Sequence, residues 1–103
     1  TIISEAKAHG TEAEVITAVD YSGYSIDRNA PVVARVVEAL RRIGITATFE
    51  STMGGSDGNI FNANGISSIV LGTGCQLVHS TREFLPVPEL VASARLVESL
   101  LAV

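Results

Sequence analysis

Two segments of the chain concentrate residues that could do chemistry. The first runs from residue 53 to residue 65 and reads Met-Gly-Gly-Ser-Asp-Gly-Asn-Ile-Phe-Asn-Ala-Asn-Gly, between a predicted strand and a short predicted helix. Paired glycines let the backbone approach a ligand closely, and N–H groups at a helix start favour an anion or a carboxylate. The same residues are also typical of a turn in which Ser56 or Asp57 only caps the helix, and the spacing alone favours this simpler interpretation.

The second segment follows a predicted strand that ends at Leu71, and it contains His79 and Glu83. In open α/β sheets, ligands collect beyond the carboxyl ends of the strands. A histidine followed four residues later by a glutamate could provide a metal ligand or a general base, with a carboxylate nearby to orient it. The alternative is a hydrogen-bonded loop histidine, with Glu83 paired to Arg82 or Arg95. The residues alone favour that alternative.

Three further residue types have simpler interpretations. Cys75 lies four residues before His79, but a thiolate nucleophile needs a correctly placed base and donors for the oxyanion. A buried structural cysteine is therefore the favoured interpretation. We expect His9 to be solvated, and we expect Tyr21 and Tyr24 to pack against the protein and not to contact a ligand.

Helices and strands alternate along the chain. The pattern predicts helices over residues 1–8, 31–43, 59–63 and 90–102, and strands over residues 13–19, 45–50 and 66–71. Asp27 or Asn29 can cap the second helix, and Pro31 suits its first turn. The apolar faces predicted for the second and last helices consist of Val33, Val36, Val37 and Leu40, and of Leu90, Ala94, Val97 and Leu101. This alternation favours an α/β domain with a mixed or parallel sheet.

Composition excludes several classes of protein. The 103 residues are 47% apolar, which is enough for one domain with its own core. A net charge of −4 argues against a nucleic-acid partner, and no apolar run approaches the roughly 20 residues that span a bilayer. The single cysteine cannot form an internal disulfide, so we expect a cytoplasmic protein.

Three motifs taken together resemble a known family. They are Gly-Gly-Ser-Asp-Gly-Asn-Ile-Phe-Asn-Ala-Asn-Gly-Ile at 54–66, Val-Leu-Gly-Thr-Gly at 70–74 and His-Ser-Thr-Arg-Glu-Phe-Leu at 79–85. In this order they strongly resemble the carboxyl-terminal part of M20-family zinc peptidases, and above all the peptidase T-like branch, the tripeptide aminopeptidases. Residues 21–26 and the helix after Asn29 match the family's return from an inserted lid domain, so the resemblance covers nearly the whole chain.

The resemblance implies a fold and a division of the chain. Residues 1–26 would be the last helix and strand of the lid, which carries the dimer contacts in this family. Residues 27–103 would form the carboxyl-terminal part of a three-layer α/β/α catalytic domain. The chain would then hold pieces of two domains and not one complete domain.

The resemblance also implies a chemistry. The family holds two zinc ions, although other divalent metals are possible, with a bridging water and a glutamate as general base. Its last protein ligand matches His79, and Glu83 matches an acidic residue that supports this ligand. The family's substrate-facing loop matches Gly54, Gly55, Ser56, Asp57 and Asn59. The other ligands and the general base lie in a His-x-Asp motif, a bridging Asp and a Glu-Glu pair that this chain lacks, so no catalytic residue is expected here.

The expected function is therefore that of a carboxyl-terminal fragment of a zinc-dependent peptidase acting on short peptides, inactive alone. Its partners would be the peptide substrate, the amino-terminal half of the same enzyme and a second copy in a homodimer. Two alternatives remain. One is a related amidohydrolase for N-acyl amino acids or dipeptides, and the other is a non-catalytic ligand-binding module of the same shape.

Overall fold

The computed structural model describes residues 1–102, and its regular secondary structure is helical. Helix α1 spans Ile2–Ala8, α2 spans Pro31–Arg42, α3 spans Asp57–Ala63 and α4 spans Val87–Leu101. All four predicted helices are confirmed. Helices α3 and α4 begin two and three residues earlier than predicted.

The beginning of α2 differs from the prediction in its cap. Pro31 occupies the first turn as expected, but Ala30 is the N-cap residue and no side chain caps the helix. Asp27 instead closes the preceding turn, because its Oδ1 accepts the N–H of Asn29 at 2.7 Å and its carbonyl accepts the N–H of Ala30 at 2.9 Å. Neither of the predicted capping residues therefore caps the helix.

The core lies between α2 and α4, the two helices that pack against each other. The buried apolar side chains are Val33, Val36, Ala39 and Leu96. The buried hydroxyl of Ser99 donates to the carbonyl oxygen of Ala39 at 3.1 Å, so the two helices are also joined by a hydrogen bond. Because a buried polar group is costly unless it is paired, this bond lets a serine occupy the helix interface.

The buried faces of the two helices agree only in part with the predicted stripes. On α2, Val33 and Val36 are buried as expected, whereas Val37 is 38% exposed. On α4 the prediction is wrong in this structure, because Leu90 and Val97 are each 54% exposed while Leu96 contacts the core. The face of α4 that was predicted to be buried points away from α2.

No β-strand forms in residues 1–102, and the one bridge is an isolated antiparallel pair between Gln76 and Phe84. The three predicted strands therefore do not form, and the sheet of the expected α/β domain is not confirmed. A strand depends on hydrogen bonds to a neighbouring strand, and these segments have no such neighbour within the described part of the chain. The proposed boundary between residues 26 and 27 stays a prediction.

The described chain is open and flat. Its radius of gyration is 19.4 Å and its extents are 63 × 36 × 17 Å, whereas a compact domain of this length has a radius of gyration of about 13 Å. The length predicts one domain with its own core, yet few apolar side chains are buried here. Large apolar side chains stay exposed along its whole length, including Ile16, Val19, Met53 and Leu101.

None of the helices within residues 1–102 is long and apolar enough to cross a membrane.

Candidate functional site

The glycine-rich loop is exposed up to the start of α3. Residues 51–57 are all exposed, whereas Gly58 and Asn59 in the first turn of α3 are buried. Ser56 occupies the N-cap position of α3, which agrees with the simpler interpretation that this residue begins a helix. Gly54, Gly55, Ser56 and Asp57 are therefore accessible, as residues of a ligand-facing loop must be. A capping role and a binding role are compatible at Ser56.

Asn59 is the buried polar residue of this loop, at 7% exposure. Its Oδ1 accepts the backbone N–H of Ser56 at 2.9 Å, and its Nδ2 donates to the carbonyl oxygen of Ser22 at 2.9 Å. Both ends of the amide are thus used within the protein. Asn59, a predicted substrate-binding residue, ties the loop to the segment that precedes α2.

Two tyrosines of that segment pack on the glycines of the loop. A Cβ added to Gly55 would lie 2.6 Å from Cε1 of Tyr21 and closer still to its Cζ and hydroxyl oxygen, so only glycine fits there. A Cβ added to Gly58 would lie 2.9 Å from the hydroxyl oxygen of Tyr24. The tyrosines pack, as the sequence predicts, but their partner is the candidate substrate loop itself.

A second asparagine fastens α3 to the segment that follows it. The Nδ2 of Asn62 donates to the carbonyl oxygens of Gly58 at 2.7 Å and Ser68 at 2.8 Å, and its Oδ1 accepts the N–H of Ser68 at 3.1 Å. The side chain thereby satisfies both backbone groups of Ser68. No sequence motif indicates these hydrogen bonds between Asn62 and Ser68, so they could not be predicted from the sequence.

An open groove begins at the loop and runs between α2 and the segment 67–71 to the end of α4. Its volume is about 630 Å³, and its apolar lining includes Val32, Phe61, Ile69, Leu71 and Leu100. Ser56, Asp57 and Gly58 form its end at the loop. Most of this lining is apolar, so the groove is better suited to packing against protein than to binding a charged ligand.

His79 lies in a tight turn that Glu83 stabilises. The backbone N–H of His79 donates to Oε2 of Glu83 at 2.7 Å, and the N–H of Glu83 donates to the carbonyl oxygen of Ser80 at 3.1 Å. His79 has a φ of 63°, in the left-handed region that non-glycine residues seldom adopt. The sequence predicts that this carboxylate orients the imidazole or pairs with an arginine. It instead fixes the main chain of the histidine.

The same carboxylate contacts the cysteine. The thiol of Cys75 donates to Oε1 of Glu83 and to the carbonyl oxygen of Phe84, both at 3.6 Å. Partial burial raises the pKa of the Cys75 thiol, and the hydrogen bond and negative charge of Glu83 raise it further. A raised pKa keeps the thiol protonated, which supports the structural interpretation of Cys75 over the nucleophilic one.

This turn could supply one ligand to a metal site but not a complete site. Within residues 1–102 no group of three or more His, Cys, Asp or Glu side chains could hold a metal ion. His79 is exposed, and its hydrogen bond to Glu83 uses the main chain and leaves the imidazole nitrogens outside it. Imidazole is a common zinc ligand, so His79 suits a site whose other ligands come from elsewhere.

The structure thus brings the predicted residues into two groups. Gly55, Ser56 and Asn59 lie together with the tyrosines, and His79 lies with Glu83 and Cys75. No hydrogen bond within residues 1–102 joins one group to the other. The sequence did not predict that Asn62 binds Ser68 or that Tyr21 contacts Gly55.

Comparison with known proteins identifies the family. The model of "Peptidase family M20/M25/M40" matches residues 5–103. The uncharacterized protein YqjE of Bacillus subtilis is 32% identical over 92 residues, which are 89% of this chain and 25% of that protein. A peptidase T-like protein of Rhizobium meliloti is 38% identical over 64 residues, covering 62% of this chain and 16% of that protein.

A solved structure is similar over most of the chain. The crystal structure of aminopeptidase PepT from Bacillus cereus matches with a TM-score of 0.77 and 34% identity, covering 94% of this chain and 26% of that one. This chain spans about a quarter of the length of PepT and YqjE. The motifs at 54–66 and 79–85 and these matches lead to the same conclusion: the chain belongs to peptidase family M20/M25/M40.

Proposed function

We propose that this chain is the carboxyl-terminal part of a longer metallopeptidase that hydrolyses short peptides, as a tripeptide aminopeptidase does. The observation that carries the proposal is the exposed His79 in its Glu83-stabilised turn, within a chain that matches an aminopeptidase over 94% of its length. The chain contributes a metal ligand and a substrate-facing loop. The remaining ligands and the general base belong to the rest of the enzyme.

His79 is the proposed zinc ligand. Glu83 holds the histidine backbone in one conformation by accepting its N–H, so the imidazole is presented from a fixed turn and not from a mobile loop. Such support for a ligand commonly contributes 10–100-fold to metal affinity. When bound, two zinc ions, or another divalent metal pair, would polarise the scissile carbonyl and lower the pKa of the attacking water.

The proposed substrate loop consists of Gly54, Gly55, Ser56 and Asp57, followed by Asn59 at its base. The N–H groups of Gly55 and Asp57, with the Ser56 hydroxyl, would donate to peptide or carboxylate oxygens of the substrate. The N–H groups of Gly54 and Ser56 donate within the protein, to Thr52 and Asn59. Glycine at 54 and 55 adds no side chain of its own beside these backbone groups, and at Gly55 it also makes room for the ring of Tyr21. Asp57 is an acidic group beside the site and would favour a substrate with a positively charged amine.

The exposed apolar surface is explained by the same proposal. The groove beside α2, and the face of α4 that includes Leu90 and Val97, would be covered by the rest of the catalytic domain. Segments 45–50 and 66–71 would gain strand neighbours there and complete a three-layer α/β/α domain. Residues 1–26 would belong to a lid that carries the contacts of a homodimer. We place the enzyme in the cytoplasm.

The test is a metal-dependent peptidase assay on the longer enzyme. We expect hydrolysis of tripeptides that is lost on chelation and restored by zinc, and no turnover by the 103-residue chain alone. A clear preference for N-acyl amino acids or dipeptides in a substrate panel would move the enzyme to the related amidohydrolases. The absence of hydrolysis with every metal and substrate would favour a non-catalytic binding module.

A further inference from the structure

Three side chains join the candidate substrate loop to the segment 21–24, which precedes α2. Asn59 donates to the carbonyl of Ser22, Tyr21 packs on Gly55, and Tyr24 packs on Gly58. We call Tyr21, Tyr24 and Asn59 the junction clamp, because they hold the loop against the place where the proposed lid and catalytic parts meet. These contacts cross more than 30 positions of sequence, so they fix tertiary position and not local turn shape.

Asn59 is the member of the clamp whose side chain must accept one hydrogen bond and donate another. Its amide accepts from the N–H of Ser56 and donates to the carbonyl of Ser22 at the same time, at 2.9 Å each. An aspartate could accept but not donate, and it would bring a negative charge against the Ser22 carbonyl. An alanine would remove the acceptor of the Ser56 N–H and the donor to the Ser22 carbonyl, so both half-buried hydrogen bonds would be lost.

The tyrosine contacts restrain the loop from its other side. The phenol of Tyr21 occupies the space that a side chain at residue 55 would need, and the hydroxyl of Tyr24 does the same at residue 58. The glycines therefore serve a second purpose besides exposing their backbone, which is to let the tyrosines approach. A loop held by a buried amide and two rings has little freedom to move relative to segment 21–24.

We propose that Asn59 is a positioning residue, which with Tyr21 and Tyr24 sets the place of the substrate loop from the lid side of the molecule. Movement of segment 21–24 would move the backbone N–H groups of Gly54–Asp57 with it. Asn59 then acts on substrate binding through the loop and does not itself touch the substrate. The kinetic consequence rests on the proposed function, whereas the structural coupling does not.

The first test compares Asn59→Ala and Asn59→Asp with Asn64→Ala in the longer enzyme. Asn64 is a matched control because it is an exposed asparagine at the C-cap of the same helix, and its amide donates to the carbonyl of Ile60 one turn away. We expect both Asn59 variants to raise KM about tenfold with kcat within about twofold, as loss of uniform substrate binding does. Bound metal should be unchanged, and Asn64→Ala should behave as wild type.

Hydrogen exchange supplies a readout that needs no activity. We expect amide exchange at Ser56, whose N–H donates to Asn59, to accelerate in the Asn59 variants and to stay at the wild-type rate in Asn64→Ala. Asn59→Asp keeps an acceptor for this N–H but loses the donor to Ser22, so acceleration in that variant reports the link to segment 21–24. Exchange and KM equal to those of the control would overturn the proposal. If the wild-type enzyme cleaves no peptide, the proposed function fails, and the exchange result still decides whether the clamp exists.

The second test uses the contact between Tyr21 and Gly55. Gly55→Ala places a Cβ in steric overlap with Cζ and the hydroxyl oxygen of Tyr21, so we expect the loop to shift and its exchange to accelerate. Adding Tyr21→Ala removes the obstructing ring and should slow the exchange again in part, to the rate of Tyr21→Ala alone, because the clamp then lacks one member. Tyr21→Phe is the matched control. It keeps Cε1 and Cζ, so adding it to Gly55→Ala should leave the exchange of the loop fast. Equal behaviour of the two double variants would contradict the clamp.

Discussion

The carboxylate of Glu83 accepts the backbone N–H of His79 at 2.7 Å and so holds this histidine at a φ of 63°. A non-glycine residue in that region costs on the order of 1 kcal/mol, and a charge-assisted hydrogen bond contributes about 1.5–3 kcal/mol. The bond is therefore strong enough to maintain the turn. The acid four residues after the histidine acts on the histidine's main chain, and it can thereby fix the direction from which the imidazole approaches a metal.

Glu83→Ala should loosen this turn and weaken metal binding in the longer enzyme. We expect the affinity for zinc to fall about 10–100-fold, because the backbone of His79 loses the acceptor that fixes it. Glu83→Gln keeps an oxygen acceptor but loses the charge, and its effect should be smaller. Metal content after dialysis against graded chelator measures both changes.

The control for this experiment is Glu98→Gln, which removes an exposed carboxylate on α4 far along the chain from the turn. It should retain metal as wild type does. If Glu83→Ala also retains metal as wild type does, the carboxylate contributes nothing to the ligand's position.

Leu96→Ala should destabilise the packing of α2 on α4. Leu96 is 9% exposed and contacts the helix interface, so its truncation should lower the free energy of unfolding by about 2–4 kcal/mol. Val97→Ala alters the next residue of the same helix, which is 54% exposed in the described chain. Urea unfolding measures the free energy of unfolding of both variants and so compares the buried face of α4 with its exposed face.

In the longer enzyme the comparison also tests whether the exposed face of α4 is covered. If the rest of the catalytic domain packs there, Val97→Ala should cost about 0.5–1.5 kcal/mol or more, as truncation of a buried methyl-bearing side chain does. A cost near zero would show that this face stays in water.

Glu38 should titrate far below an ordinary glutamate. Hydrogen bonds from Arg41, and then its charge and the bond from Arg42, lower the pKa of Glu38 from 4.5 to about 2. The ion pairs therefore stabilise the helix fully above pH 4.5, and this contribution is lost as the pH falls toward 2. Arg41→Gln should return the pKa of Glu38 most of the way to 4.5, as a carboxyl NMR titration would show. An unchanged pKa would mean that the bidentate pair does not form.

Cys75 should alkylate slowly at pH 8. Burial raises the pKa of its thiol, and the hydrogen bond to Glu83 and the charge of that carboxylate add to the increase. Glu83→Gln removes the charge and should speed the reaction with iodoacetamide by increasing the thiolate fraction. Part of the increase in pKa should remain, since burial is unchanged. A rate equal to that of wild type would show that Glu83 does not influence the thiol.

The helices were predictable because their signals are local. Apolar spacing and Pro31 identify α2, and Gly44 and Gly65 mark the ends of α2 and α3. The sequence does not predict correctly whether strands form or which face of α4 is buried. Both depend on which other segments are adjacent. Leu90 and Val97 form a regular apolar stripe, yet within this chain α4 presents Leu96 and Ser99 to α2.

The candidate site also contains residues that the sequence identifies and residues that it does not. The glycine loop and the His79 motif could be recognised from residue types and spacing, because glycine and histidine have few substitutes in these roles. The residues that contact the glycine loop and α3 could not be recognised from the sequence. Ser22, Tyr21 and Ser68 reach the loop and α3 only through tertiary packing. The direction of the Glu83 bond, to the main chain of His79, depends on a left-handed residue that no spacing rule indicates.

Whether His79 is a metal ligand is decided by the zinc content and peptidase activity of His79→Ala in the longer enzyme, measured beside Glu98→Gln. We expect His79→Ala to bind less metal and to lose at least about a thousandfold in kcat, which is about 4 kcal/mol of transition-state stabilisation. Glu98→Gln should match wild type in both measurements. A His79→Ala enzyme with full metal content and undiminished turnover would contradict the assignment of His79 as a ligand.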